Sequence, residues 1–162
     1  MIIRQAKKQD LKQIIDIEHI CFPEAEAASS QEFHERFLAF PENFLVAEKN
    51  HNIVGFINGA TTNHPVLPDE LYHNIHLHDP QGDYQTVFGL DVLPEYRHQG
   101  IAGELIKAYI NLTLEKGKKG IVLTCKDHLI HYYEKFGFVH QGHSLSNHGG
   151  ASWNDMLLLF EK

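Results

Sequence analysis

The sequence predicts an α/β protein in which a mixed β-sheet is covered by helices. Three observations carry this. From residue 86 onward, strand-like and helix-like apolar segments alternate; a helix of clear amphipathic period lies near the amino terminus; and 162 residues with 43% hydrophobic content suffice for one well-buried core and not for two full domains.

Taken in order, Ile2 to Ala6 reads as a short strand. Gln9-Asp10 then caps a helix whose apolar stripe is Leu11, Ile14, Ile15, Ile17 and Ile20, ending near Phe22-Pro23. Ser29-Ser30-Gln31-Glu32 offers a capping box, so a second helix runs to about Phe40, where Pro41 ends it. Phe44 to Glu48 and Ile53 to Thr61 read as two strands around a polar four-residue connection, Lys49 to Asn52. Residues 62–84 lack periodicity, although Pro68 to His73 suits a helical turn; a loop this long in a compact domain is usually functional or mobile. Next come a strand (Thr86 to Val92), a helix (Gly100 to Lys116), a strand (Gly120 to Cys125) and a helix (Asp127 to Lys135). Two further strands, Phe138 to His143 and Trp153 to Phe160, flank a turn at Asn147 to Gly150.

Composition narrows the function. A formal charge of −7, from 21 acidic and 14 basic residues, disfavours nucleic acid or an anionic membrane surface as a partner and mildly favours a cationic substrate. Thirteen histidines are unusual, and protonating them all would reverse the sign of that charge, so mildly acidic pH should matter. Two cysteines, Cys21 and Cys125, give no disulfide framework and suit a reducing compartment. The amino terminus lacks a signal-peptide pattern and no apolar stretch nears the ~20 residues of a membrane helix, so a cytoplasmic protein is expected.

The most informative stretch runs from Leu90-Asp91-Val92 through Leu93-Pro94-Glu95-Tyr96 to Arg97-His98-Gln99-Gly100-Ile101-Ala102-Gly103. A short apolar run breaks at a proline and meets a basic, glycine-containing helix start. Helix openings leave N–H groups unpaired and carry partial positive charge, which suits an anion. Gly100 and Gly103 each cost ~1 kcal/mol against alanine in a helix, so their presence asks for a reason. Close approach of a ligand to the backbone is one. Tight strand-to-helix packing is the other. Ile101, Leu105, Ile106, Tyr109 and Leu112 then continue as a helix able to pack on a sheet.

Here the chain resembles the GNAT superfamily of N-acetyltransferases, whose motif is an arginine, two residues, a glycine, one residue, and a glycine or alanine; Arg97 to Ala102 matches it. The family's second mark, an aromatic and glycine cluster on a later helix, is matched by Tyr132-Tyr133-Glu134-Lys135-Phe136-Gly137-Phe138. Shorter marks are similar to the arylalkylamine (serotonin) N-acetyltransferase branch: Asp16-Ile17-Glu18, Phe22, Leu67-Pro68-Asp69-Glu70-Leu71 and Cys125-Lys126-Asp127. The resemblance implies one domain over residues 1–162, built on a mostly antiparallel sheet of about seven strands with a splayed parallel pair and about four flanking helices. It also implies acetyl-coenzyme A as co-substrate, paired with the strand edge of Leu90, Asp91 and Val92, its pyrophosphate held by Arg97, His98, Gln99, Gly100, Ile101, Ala102 and Gly103. Family members often form dimers, which leaves a homodimer open.

Thioester aminolysis needs a neutral amine, an oriented carbonyl and a proton for the leaving thiolate. Tyr133 matches the tyrosine that serves the resembled branch as general acid, and a phenol with a reference pKa of ~10 stays protonated at neutral pH. A core packing role is the alternative, and its neighbour Tyr132 points about 100° away on a helix. The branch's two basic histidines align with Thr86 and Phe88, neither of which takes a proton. Replacement bases are Glu24 or Glu26, which would also attract an ammonium group, or else Asp91, His73, His76 or His78; solvated surface carboxylates are the plainer reading of the two glutamates. His76 and His78 with His73 or Asp79 suggest a metal site only weakly, and the expectation is none. Cys125 reads as a buried thiol rather than a nucleophile. The expected function is acetyl transfer to a primary amine of a small molecule in a ternary complex. The alternatives are a protein or peptide amino group as acceptor, or a silent coenzyme A sensing domain.

Overall fold

Nine strands and five α-helices form among residues 1–160, the residues that the computed structural model describes. In chain order they are β1 (Ile2–Gln5), α1 (Leu11–Cys21), α2 (Ser30–Ala39), β2 (Leu45–Lys49), β3 (Asn52–Asn58), β4 (Thr61–Thr62), α3 (Asp69–His73), β5 (Tyr84–Val87), β6 (Gly89–Val92), α4 (Ile101–Glu115), β7 (Gly120–Cys125), α5 (Ile130–Glu134), β8 (Val139–His143) and β9 (Asn154–Leu159). The α/β class is as expected, mostly antiparallel with one parallel pair. The single sheet of about seven strands is corrected to two sheets, of four and five strands. The expected strand Thr86 to Val92 is where they divide: β5 belongs to one sheet, β6 to the other, and Phe88 stands between them.

One unit comprises Met1–Gly59 and Gly89–Tyr109. Its sheet runs β1-β2-β3-β6, antiparallel throughout, with Ala47 opposite Gly55 and Gly55 opposite Val92. Lys49 pairs with Asn52, so the β2–β3 connection is two residues rather than four. Asn50 and His51 both take positive φ, 52° and 68°, the pair of left-handed conformations that a type I′ turn requires. Phe33, Phe40, Phe44, Phe56 and Ile14 are fully buried, with the Phe33 and Phe56 rings edge to face at 5.8 Å.

The capping box forms as expected: Ser29 Oγ accepts from the Glu32 N–H at 3.1 Å and Glu32 Oε1 accepts from the Ser29 N–H at 3.0 Å. The Asp10 cap does not form. Its carboxylate accepts instead from the Lys7 N–H at 2.7 Å and from Arg4 Nη1 at 2.7 Å, while Arg4 Nη2 reaches Glu48 at 2.8 Å. An ion pair to β1 outbids a helix N–H for the same oxygens. On α1, Leu11, Ile14, Ile15, Ile17 and Glu18 are buried while Ile20 is 59% exposed, so a glutamate takes the inward position expected of an isoleucine.

The other unit comprises Ala60–Phe88 and the described residues from Ile110 onward. Its sheet runs β4-β5-β7-β9-β8, with β5 and β7 parallel from Tyr84 opposite Gly120 to Val87 opposite Leu123. β7 keeps its expected bounds and buries Ile121, Val122 and Leu123. The expected helix Asp127 to Lys135 is a 3-10 turn, Asp127–Leu129, followed by α5. Asn154 Nδ2 ties this turn to the sheet, donating to Cys125 O at 3.2 Å and to Asp127 Oδ1 at 2.7 Å. Among the described residues no helix is long and apolar enough to cross a membrane.

Candidate active site

The loop after β6 lies in the first unit. β6 is an edge strand of its sheet, pairing with β3 through Leu90 opposite Ile57, Asp91 opposite Phe56 and Val92 opposite Gly55. A 3-10 turn at Pro94–Tyr96 then carries the chain to Arg97. Arg97 Nε donates to the Val92 carbonyl at 3.0 Å, and Cys21 Sγ donates to the same oxygen at 3.3 Å. The arginine thus closes the loop as well as charging it. His98 and Gly100 follow at φ +63° and +81°. A Cβ on Gly100 would meet no atom within 4 Å, so the backbone conformation demands glycine there while the space beside it stays open.

Helix α4 takes its first intrahelical bond from Glu104 N–H to Gly100 O, so the amides of Ile101, Ala102 and Gly103 precede the ladder. His98, Gln99 and Gly100 are exposed and Ile101 is buried. Lys49 of β2 is a basic neighbour that sequence reading missed. Its Nζ donates to Gln99 Oε1 at 3.2 Å and lies 5.7 Å from the Tyr96 ring centroid. No local motif signals Lys49, because sheet pairing brings it there. The loop therefore offers helix-start amides, an open glycine and two cations, the donor set an oligophosphate needs.

Tyr133, in the second unit, is 8% exposed on α5 and packs edge to face on Phe138 at 5.8 Å and on Tyr132 at 5.6 Å. Burial raises the Tyr132 phenol above its usual range. Cys125 is buried; burial and then the neighbouring Asp127 charge push its thiol up to about 11, so it is no thiolate nucleophile at neutral pH. Thr86 Oγ1 donates to Ala60 O at 2.8 Å, and the Phe88 ring stacks on Tyr72 at 4.8 Å, with His148 on Tyr72 at 5.2 Å.

The expected bases are dispersed. Glu24, His73 and His76 are exposed and Glu26 is half-buried. His78 Nδ1 accepts the Thr61 N–H at 3.0 Å. Among the described residues no three His, Cys, Asp or Glu side chains are grouped to hold a metal ion. Besides Asp10, the buried acids are Glu18 on α1 and Asp91 on β6, at 6% and 1% exposure, and the two carboxyls share a hydrogen bond. Glu18 Oε2 also accepts the Ala28 N–H at 2.9 Å. Burial, followed by the Glu18 charge and that hydrogen bond, raises the Asp91 carboxyl well above the usual range; Cys21 adds to this and Arg36 opposes it. Glu18 enters the sequence reading only as part of a branch mark; its burial does not, although its spacing of seven from Leu11 and four from Ile14 is a visible signal.

An α/β fold with an open-edged strand running into a phosphate-type helix start is that of an acyl-coenzyme A acyltransferase. Residues 11–138 match the acetyltransferase (GNAT) family, and the chain belongs to it. It is similar to the protein named uncharacterized N-acetyltransferase YkwB of Bacillus subtilis, 27% identical over 127 residues that make up 72% of this chain. The relatives it matches are longer: the match spans 25% of one and 56% of the other. The fold is similar to that of the loading GNATL domain of CurA from Lyngbya majuscula, with TM-score 0.85, 16% identity and coverage of 98% of this chain and 96% of that one. It is similar too to a GNAT family acetyltransferase from Brucella melitensis in complex with acetyl-CoA, with TM-score 0.64, 20% identity and coverage of 99% and 88%.

Proposed function

We propose that the chain acts as a single N-acetyltransferase domain, moving an acetyl group from acetyl-coenzyme A to a primary amine of a small molecule by direct transfer in a ternary complex. The observation that carries this is the loop from Val92 to Gly103, in which Arg97 fixes the turn, His98 and Gly100 adopt left-handed conformations, and the amides opening α4 stand beside them. Leu90, Asp91 and Val92 supply the strand edge for the pantetheine arm, and His98 to Gly103 supply backbone donors to the pyrophosphate. Tyr133 is the acid that protonates the departing sulfur.

Similarity to the arylalkylamine branch supports a small amine as acceptor, but with different base chemistry. Thr86 is buried against Ala60 and Phe88 is stacked on Tyr72, so neither reproduces a histidine relay. Glu24 and Glu26 supply negative charge near the end of α1 that attracts a cationic acceptor. Two free thiols favour a reducing compartment, which supports a cytoplasmic location.

The test is thiol release from acetyl-coenzyme A across arylalkylamines, polyamines, aminoglycosides and short peptides near pH 8, with calorimetric binding of coenzyme A alongside. Turnover with one small-amine class is the expected result. Coenzyme A binding without turnover across the panel would favour the silent sensing domain and overturn the transferase reading.

A further inference from the structure

Three buried polar side chains of the first unit gather at Gly89. A Cβ built on Gly89 would stand 3.0 Å from Asp91 Oδ1, 3.6 Å from Glu18 Oε1 and 3.9 Å from Asn58 Nδ2. Gly89 has no left-handed φ to justify it, and a glycine weakens the strand it begins. A side chain at Gly89 would crowd the Asp91 carboxyl, and Gly89 itself is half-buried. Asn58 is 1% exposed, and neither atom of its amide has a hydrogen-bond partner among the described residues. Beyond the bond between the two carboxyls, no donor of a described residue reaches Glu18 Oε1 or either oxygen of Asp91. Groups this deep are expected to be satisfied, so a converging set of unpartnered polar atoms, carboxyl oxygens beside a side-chain amide, points to a missing ligand.

We propose that Glu18, Asp91 and Asn58 receive the ammonium group of the acceptor amine, and that the carboxyl pair takes one of its protons. The proposal rests on the transferase reading above and assigns its base. A primary ammonium brings three N–H donors and one positive charge. The cluster brings carboxyl acceptors from Glu18 Oε1 and Asp91, with the Asn58 amide beside them. The charged groups facing Asp91 are Glu18 and Cys21 from α1 and Arg36 from α2. Arg36 opposes the carboxyl charges and so keeps the pair able to release its proton again. An Asp91 carboxyl raised above the ordinary carboxylate range is a better base than an exposed glutamate.

The step balances as follows. The ammonium passes one proton to the pair, and its neutral nitrogen adds to the thioester carbonyl carbon. A C–N bond forms, the C–S bond breaks, and the sulfur is protonated by the acid assigned above. That acid is restored through solvent by the second proton lost from nitrogen, and the pair returns its proton to water. One ammonium and one acetyl thioester give one amide, one thiol and one released proton.

The experiment uses the full chain with Asp91→Asn and Glu18→Gln. Calorimetry with butylammonium chloride is expected to show binding to the wild type and a loss of at least about tenfold in each variant, with coenzyme A affinity unchanged. No binding to the wild type, equal binding in all three, or displacement of butylammonium by Mg2+ would overturn the proposal. In thiol release at pH 7.5, butylamine turnover is expected to fall about 100-fold or more in both variants. Methoxyamine, already neutral at that pH, is expected to lose far less; equal losses for the two acceptors would overturn the proton-taking role. A wild type that binds butylammonium and coenzyme A yet releases no thiol with any amine would sink the transferase reading and leave the ammonium site standing.

Discussion

Arg97 Nε donates to the carbonyl oxygen of Val92 at 3.0 Å, so the arginine of the glycine loop is bonded to the end of the strand that precedes it. Its side chain spans the turn at Pro94–Tyr96, just ahead of α4. A guanidinium does this because it can give one N–H to a carbonyl and still present its remaining donors to a ligand.

Arg97→Lys should therefore fail to substitute. Lysine keeps the charge but has no Nε donor placed to reach Val92 O, so coenzyme A affinity is expected to fall by about tenfold, the worth of one charge-assisted hydrogen bond. Calorimetric titration of Arg97→Lys and Arg97→Ala checks it. A lysine variant with wild-type affinity would show that Arg97 acts as a point charge alone.

At Gly100 the conformation and the ligand can be separated, since a side chain there meets nothing within 4 Å while φ is +81°. Gly100→Ala should cost on the order of 1 kcal/mol in stability from the left-handed backbone alone. Gly100→Asp adds a carboxylate beside the proposed phosphate and is expected to weaken coenzyme A binding well beyond Gly100→Ala. Denaturant melts and coenzyme A titrations on the two variants distinguish these effects, and equal affinities would remove the loop from the phosphate site.

Tyr133→Phe should lower kcat by about 100-fold or more while leaving coenzyme A affinity in place. Because Tyr133 is buried between Phe138 and Tyr132, a phenylalanine keeps the ring packing, and a thermal melt controls for loss of fold. Tyr132→Phe should leave kcat nearly unchanged. If the two variants exchange phenotypes, the acid is Tyr132.

What could be read in the chain was what local pattern encodes. β7 and α4 emerge within a residue of expectation because each is one uninterrupted apolar period, and Ser29 with Glu32 announces its own helix. The break at Phe88 is silent because an apolar-rich run from Thr86 to Val92 reads as one strand while its two halves join different sheets. Ile20 looked like the end of a stripe that Glu18 completes, since hydrophobicity alone cannot foresee a carboxyl buried against another carboxyl. Lys49 reaches Gln99 across fifty residues of sequence, a contact only the sheet creates. The glycine loop was legible as a motif, and the pairing of Glu18 with Asp91 was not, because the two carboxyls come from α1 and β6.

The Asp91 carboxyl also makes stability depend on pH in a direction that can be worked out. Its folded value is raised by burial and by Glu18, against an ordinary value of ~3.9 in the unfolded chain. Below ~4 both states hold the proton and nothing is lost. As pH rises, the unfolded chain releases its proton first, so the unfolded state is favoured increasingly until the folded carboxyl also titrates. Asp91→Asn has no proton to lose, and its amide can donate to Glu18. The variant is therefore expected to match the wild type most closely near pH 4 and to melt higher at pH 7 to 8, by on the order of 5 °C, even as it loses activity. Thermal melts of both proteins from pH 4 to pH 9 test this. A constant gap across that range would mean that Asp91 is ionised in the folded protein throughout, and that the carboxyl pair shares no proton.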